Sequence, residues 1–316
     1  MASIEILGLE KKFTTGFLRK RTKQALKPLY LHTEDNEVFG FLGANGAGKT
    51  TTLKLLMGLI FPDAGHAKIL GMDWRDPRVR SQIGFLPEQP YFYDYLTAAE
   101  LLNYYAALSG VPGRERTRRV TQMLGRVGLG DSAHVQLRKY SKGMLQRVGI
   151  AQAILHDPKI VFLDEPTSGL DPMGRREVSE LIRELKDEGK TVFFSTHILP
   201  DAEALCDRVA VIHQGELRGV GIVAELVHRS ADSRETEIIW NGTQAVSAVS
   251  SLGAKCRVSG ETVRATLAAR DLDAALEQIR LHRGNILSVT PVRATLEDFF
   301  FEKLGEPQRS TAEVAP

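Results

Sequence analysis

The run Gly43-Ala44-Asn45-Gly46-Ala47-Gly48-Lys49-Thr50 constrains this chain more than any other feature. The apolar stretch EVFGFLG (37–43) leads into it. TTLKLLMGLI follows, with Leu53, Leu56, Met57 and Ile60 at i, i+3, i+4 and i+7. A buried strand therefore turns through glycines straight into a helix. Such a turn lets several backbone N–H groups converge on one anion, and the helix N-terminus adds the positive end of its dipole. The pattern is G-x-x-x-x-G-K-[ST], a phosphate cradle. Lys49 supplies a point charge for the β- and γ-phosphates, and the hydroxyl of Thr50 suits Mg²⁺. Thr51 continues the run. The plainer alternative is a tight glycine turn that holds nothing.

A second signal lies at IVFLDEP (160–166), where an apolar strand ends in two adjacent carboxylates. Asp164 fits the strand-end carboxylate that holds Mg²⁺. Glu165 is then free to orient or deprotonate an attacking water. Taken alone, both would be solvated charges at a strand end.

Further apolar runs at TVFFSTH (191–197) and RVAVIHQG (208–215) alternate with helical patterns at 144–156 and around Val178, Leu181, Ile182 and Leu185. Continuous apolar strands of this kind belong in a sheet covered on both faces. Alternating strands and helices predict an α/β fold with a mainly parallel core. Residues 2–8 read as an edge strand. Residues 95–130 read as helical, broken at Gly110, Pro112 and Gly113. The cluster Arg19, Lys20, Arg21 and Lys23 reads as a solvated turn, or else as a contact with anionic headgroups.

The pattern weakens at 222–234, and strand, helix, strand, strand, helix, strand follow. That order matches the ferredoxin-like β-α-β-β-α-β unit. Thr295 and Asp298 resemble a capping box before a last short helix. The predicted organisation is a nucleotide-binding domain over 1–222 with a helical part at about 90–155. A linker (223–234), a small α+β domain (235–304) and a disordered tail (305–316) complete it.

Composition excludes some classes. With 41 basic and 39 acidic residues the net charge is +2, which gives no prior for nucleic acid as a partner. Two distant cysteines, Cys206 and Cys256, are no disulfide framework and point to a reducing compartment. The start carries Glu5 and Glu10 and no apolar segment of a secretory leader. No apolar run approaches the roughly 20 residues that span a bilayer. Service to a membrane would therefore go through a partner.

Over residues 3–220 the chain resembles the ATP-binding-cassette (ABC) ATPases. Besides the two motifs above, YSKGMLQR (140–147) is similar to the family's signature loop, SGLDP (168–172) to its D-loop, LPEQP (86–90) to its Q-loop and STH (195–197) to its switch segment. The signature departs from LSGGQ, with Tyr140 for Leu, Lys142 for the first Gly and Met144 for the Gln.

The resemblance implies ATP and Mg²⁺ as ligands and residue roles to match. Gln89 would sense Mg²⁺ and the γ-phosphate. Ser141 and Gly143 would cap the γ-phosphate held by an opposite protomer, and Asp171 would lie at the dimer seam. His197 would hold the γ-phosphate near Glu165. Phe13 is the candidate for stacking on adenine. Taken singly, Ser141 reads as a helix N-cap and His197 as a satisfied core histidine.

The YSKGM variant and the C-terminal TPVRATLEDFF resemble ATPase subunits of type-2 exporters. The implied protein is a cytoplasmic ATP hydrolase, peripheral on the inner face of the membrane. It would pair with a second ATPase subunit, first of all its own copy, and with multi-span permease subunits. Tyr93 and Tyr95, beside Tyr91 and Phe92, are expected partly exposed in the groove that receives the permease. Two rivals stand beside this reading: a soluble ABC-family ATPase without a permease, and a non-catalytic nucleotide-binding regulator.

Overall fold

The computed structural model of the chain describes residues 2–15, 21–229, 235–292 and 295–304. Arg19 and Lys20 of the basic cluster, residues 230–234 of the expected linker and the tail from 305 lie outside them. The described residues divide into two units, one reaching to Ile222 with Lys303 and Leu304, the other from Val223 to Glu302.

The first unit opens with β1 (Ala2–Thr15) and β2 (Arg21–Glu34), a long antiparallel hairpin. β3 (Val38–Leu42), buried along its whole length, runs into α1 (Lys49–Leu56). Then come β4 (Ala64–Ile69), β5 (Met72–Asp73), α2 (Pro77–Arg80) and β6 (Ile83–Leu86). A helical layer follows: α3 (Ala98–Leu108), α4 (Gly113–Arg126) and α5 (Lys142–Ile154). The unit ends with β7 (Ile160–Asp164), α6 (Pro172–Asp187), β8 (Thr191–Thr196), α7 (Leu199–Leu205), β9 (Arg208–His213) and β10 (Glu216–Ile222).

Two sheets result, with orders β2-β1-β4-β5 and β10-β9-β3-β8-β7-β6. In the six-stranded sheet all neighbours are parallel except β10, which turns back along β9. The sheet is mixed and mainly parallel, and the unbroken apolar character of β3, β7 and β8 follows from burial on both faces. Phe193 stacks on Phe39 and meets Phe162 at a tilt across neighbouring strands, with centroids 5.4 and 5.7 Å apart. Buried side chains of both sheets and of α1 form one core.

Two expectations are corrected here. β1 is neither short nor an edge, since it pairs with β2 on one side and β4 on the other. Beyond Leu9 the strand is polar apart from Phe13, and Lys12, Phe13 and Thr14 are exposed, so the hydrophobic alternation stops before the ladder does. Residues 223–229 of the expected linker form a helix, α8 (Val223–Arg229).

The break at 110–113 separates α3 from α4. Thr97 and Glu100 close a capping box at the start of α3, the backbone N–H of Thr97 donating to Glu100 at 2.8 Å. The strand β6 meets α5 so closely that a Cβ on Gly84 would stand 2.1 Å from the carbonyl oxygen of Ala153. Only glycine permits that approach, and it ties the helical layer to the sheet.

The second unit carries, after α8, β11 (Glu235–Asn241), α9 (Val246–Ser251), β12 (Lys255–Ser259), β13 (Thr262–Ala268), α10 (Leu272–Leu281), β14 (Asn285–Pro291) and α11 (Leu296–Leu304). Its sheet runs β12-β13-β11-β14, antiparallel throughout, as the β-α-β-β-α-β order requires. Trp240, Val249, Val263 and Ile279 centre a core of its own. Thr295 donates from its backbone to Asp298 at 2.8 Å, closing the N-terminus of α11. No described helix is long and apolar enough to cross a membrane.

The fold makes Gly84→Ala a sharp test of how the layers are joined. The added methyl must displace α5, at a cost of about 2 kcal/mol or more. Denaturant titration of the full chain measures it, and a loss under about 0.5 kcal/mol would contradict the close contact.

Candidate active site

The parallel sheet brings the motifs together. Leu42 at the end of β3 stands in register with Thr196 at the end of β8, and Asp164 at the end of β7 with Ser195. Segments 43–50, 164–165 and 195–197, far apart in sequence, therefore emerge at one edge of the sheet. Open α/β sheets bind ligands outside the carboxyl ends of their strands.

The glycine turn is held from outside. Gly43 N–H donates to the carbonyl of Thr196 at 3.3 Å, and Gly215 N–H donates to that of Ala47 at 2.8 Å. Gly48 caps α1 with φ at +117°, and a Cβ there would stand 2.8 Å from the carbonyl of Ala25. No side chain caps α1, so its N-terminal N–H groups keep no side-chain acceptor of their own. A Cβ on Gly46 would meet nothing within 4 Å, which leaves the cradle open on that side.

Lys49 and Glu165 are both 5% exposed, with Lys49 Nζ 3.0 Å from Glu165 Oε1. Nζ donates to the carbonyl of Gly43 at 2.6 Å. Glu165 Oε1 is buried and accepts no well-directed hydrogen bond, so charge alone holds it there. Its Oε2 lies 2.8 Å from His197 Nδ1. The backbone of Glu165 adopts φ +51°, unusual for a side-chain-bearing residue, and its N–H donates to the carbonyl of Ser195 at 3.1 Å. A buried ion pair at a strained backbone is weak support for stability and marks a working site.

Asp164, 1% exposed, accepts from the hydroxyls of Ser195 and Thr50. Burial holds its carboxyl above the usual range, against those two hydrogen bonds. A hydroxyl beside a carboxylate is the hard oxygen pair that Mg²⁺ takes. Among the described residues no group of three His, Cys, Asp or Glu could hold a metal ion alone. The other ligands would be phosphate oxygens and water, and the residues present fit an ion of that kind.

A cavity of about 450 Å³ opens over this edge. Asn45, Gly46, Gly48, Lys49, Thr50, Thr51 and Glu165 line it, as does Phe13 from β1. Phe13 pairs with Lys23 of β2, which lines the same cavity, and Lys11 Nζ stands 5.6 Å from the Phe13 ring centre. Sequence reasoning missed Lys23 by reading it within a solvated turn. It also missed Ser195, a small hydroxyl without a motif of its own.

The structure does not bring Gln89 to the cavity. Gln89 is exposed in the bend after β6, and its neighbour Glu88 lines the cavity instead. Both residues lie in that bend and are exposed, and of the two only Glu88 lines the cavity.

Ser141, Gly143 and Asp171 lie in a different cavity, of about 320 Å³. Ser141 caps α5 by accepting from Met144 N–H at 3.2 Å, and Asp171 caps α6 by accepting from Gly174 N–H at 2.8 Å. Both serve as the N-caps that their residue types suggest, at the mouth of a shared open surface. Tyr93 and Tyr95 are 51% and 60% exposed, within an aromatic cluster completed by Tyr104. Tyr91 is exposed beside them.

Residues 26–168 match the family model described as ABC transporter. The chain is 40% identical over 312 residues to the ABC transporter ATP-binding protein sll0415 of Synechocystis, covering 98% of this chain and 87% of the relative. It is 30% identical to the linearmycin resistance ATP-binding protein LnrL of Bacillus subtilis, covering 91% and 96%. Among solved structures it is similar to the dimeric post-hydrolysis ATP-binding cassette MJ0796 bound to ADP and Pi. The TM-score is 0.64 at 26% identity, covering 70% of this chain and 98% of that one.

The environment of Asp164 generates a prediction. Asn in its place removes a buried charge and keeps an acceptor for Ser195 and Thr50. The nucleotide-free Asp164→Asn protein should melt no lower than the parent yet lose the extra stabilisation by ATP that depends on Mg²⁺. A nucleotide-free melting point lower by more than about 4 °C would contradict the burial cost assigned to Asp164.

Proposed function

The chain belongs to the ABC transporter family as an ATP-binding subunit that hydrolyses ATP with Mg²⁺, and from that premise we propose how its residues divide the task. The observation that carries the proposal is the row Lys49–Glu165–His197, with the first two buried and His197 at the solvent side, at the edge where the glycine turn begins.

The turn at 43–50 and Thr51 bind the triphosphate, with Lys49 leaving its carbonyl contact for the β- and γ-phosphates. Thr50 and Asp164 hold Mg²⁺, which when bound neutralises charge across the phosphate oxygens. Glu165 takes the proton of the water that attacks the γ-phosphorus, and His197, hydrogen-bonded to it, fixes the direction of that carboxylate. Glu88, which lines the cavity where Gln89 does not, is proposed as the loop residue that senses Mg²⁺ and the γ-phosphate. Phe13 stacks on the base, a contact tolerant of base identity.

Two subunits act together. The family's transporters work with membrane permease partners, and the similar cassette MJ0796 is dimeric. For this chain the proposed arrangement is a head-to-tail homodimer. Ser141 and Gly143 of one copy close over the γ-phosphate held by the other, and Asp171 lies at the seam. Contacts that ATP makes only in the closed pair favour closure, and loss of phosphate releases it. The exposed Tyr91, Tyr93 and Tyr95 suit a groove for a multi-span permease, since aromatic side chains anchor such interfaces. That partner would hold the chain at the inner face of the membrane. The relatives named for linearmycin resistance and bacitracin transport support export as the direction. The cassette is taken to span 1–222, with 235–304 as an appended domain.

Glu165→Gln should bind ATP as the parent does and turn over roughly 10²–10⁴-fold more slowly, the usual worth of a general base. Phosphate release measures it, and turnover within about threefold of the parent would remove Glu165 from that role. Glu88→Ala should raise the Mg²⁺ concentration for half-maximal hydrolysis about tenfold or more, while Gln89→Ala stays near the parent. The reverse ranking would return the role to Gln89.

A further inference from the structure

Arg147 and Glu177 line the second cavity as an ion pair that no role assigned so far uses. Arg147 lies on α5 and Glu177 on α6, each six positions beyond the residue that caps its helix, Ser141 and Asp171 (141 to 147, 171 to 177). Six residues of helix rise about 9 Å. The pair therefore joins the two helices at equal depth beneath the two caps.

Arg147 is mostly buried. Its Nη1 donates to the carbonyls of Val127 and Gly128 at 2.9 and 3.3 Å, just past the end of α4. Its Nε, buried without a well-directed acceptor, faces Glu177 Oε2 at 3.5 Å. One rigid fork thus reaches two elements, which a lysine could not do. A second arginine ties α4 to α6 about two turns further along: Arg126, the last residue of α4, lies 3.4 Å from Glu184 and 2.9 Å from Glu188, both carboxylates near the far end of the α6 region.

Half-exposed ion pairs contribute little to stability on their own. What this one does is geometric. Ser141 and Gly143 sit at the free end of α5, which is anchored to the sheet through β6, whereas Asp171 sits at the free end of α6. Nearer the caps, the flexible Lys142 side chain passes over Gly169 and Leu170 stands beside Gly143; Arg147 adds a charged link between the two helices below them. We propose that Arg147 is a positioning residue. By clamping α5 to α6 through Glu177 and to the 127–128 turn, it sets the distance between the signature residues and Asp171 that a nucleotide carried by a second copy of this chain must meet. The inference rests on the head-to-tail reading above.

The test uses the full chain with Glu165→Gln, so that ATP persists, and follows dimer formation by sedimentation at rising protein concentration with saturating Mg-ATP. Added to that background, Arg147→Gln should weaken the dimer about tenfold and Glu177→Gln about threefold, and the double variant should be no worse than Arg147→Gln alone. ATP affinity of the monomer should stay within about twofold of the background, because neither residue lines the first cavity.

If Arg147→Gln lowers the melting point but dimerises as the background does, Arg147 is structural and the proposal is overturned. Losses that simply multiply in the double variant also overturn it, since the two residues then act apart. Glu177, on the surface, gives a folded variant in any case. A background that stays monomeric in saturating Mg-ATP refutes the head-to-tail reading and this inference with it, an outcome distinct from failure of the Arg147 variant alone.

Discussion

Everything in this molecule turns on a carboxylate held out of water between two basic groups. Glu165 lies against Lys49 on one side and His197 on the other, at 3.0 and 2.8 Å. Burying the acid and the lysine together costs desolvation that their attraction only partly offsets. A chain selected for stability alone would fill the same space with apolar side chains. The parallel sheet makes the arrangement possible, because strands that run the same way end at the same edge. The residues that follow three strands then share one small volume.

The same sheet explains which parts were legible in the sequence. β3, β7 and β8 are buried on both faces, so their apolar runs are continuous and their ends sharp. The motifs sit directly after those ends, and counting from the strand places them. Where burial is partial, the signal fades. The outer half of β1 is polar because that part of the hairpin stands in solvent, and its pairing with β2 is set by backbone hydrogen bonds that no side-chain pattern reports. Lys23 lines the nucleotide cavity for that reason and yet reads as part of a solvated turn. Glu88 and Gln89 differ by one position in a bend. Two adjacent polar residues after a proline give no periodicity from which to tell the inward one. Helix α8 was missed because seven residues carry too few turns for a periodic pattern.

The signature and D-loop residues show a different limit. Ser141 and Asp171 are N-caps, each satisfying a backbone N–H of its own helix. That use is sufficient for their residue types. What marks them further is location, since both open on one exposed cavity at the tips of two helices tied together below by Arg147 and Glu177. That open cavity is the surface on which the proposed closure with a second copy would take place. Tyr91, Tyr93 and Tyr95 make the same point on the helical layer: large apolar rings left in solvent are costly unless something covers them.

The central claim is that the glycine turn and Lys49 hold the triphosphate. Titration of the purified full-length chain with a fluorescent ATP analogue, in parallel with its Lys49→Ala variant, tests it most directly. Saturable binding by the parent, weakened about tenfold or more in the variant, is the predicted result; loss of one charge-assisted phosphate contact is worth at least that. Equal affinity in the two proteins would contradict it.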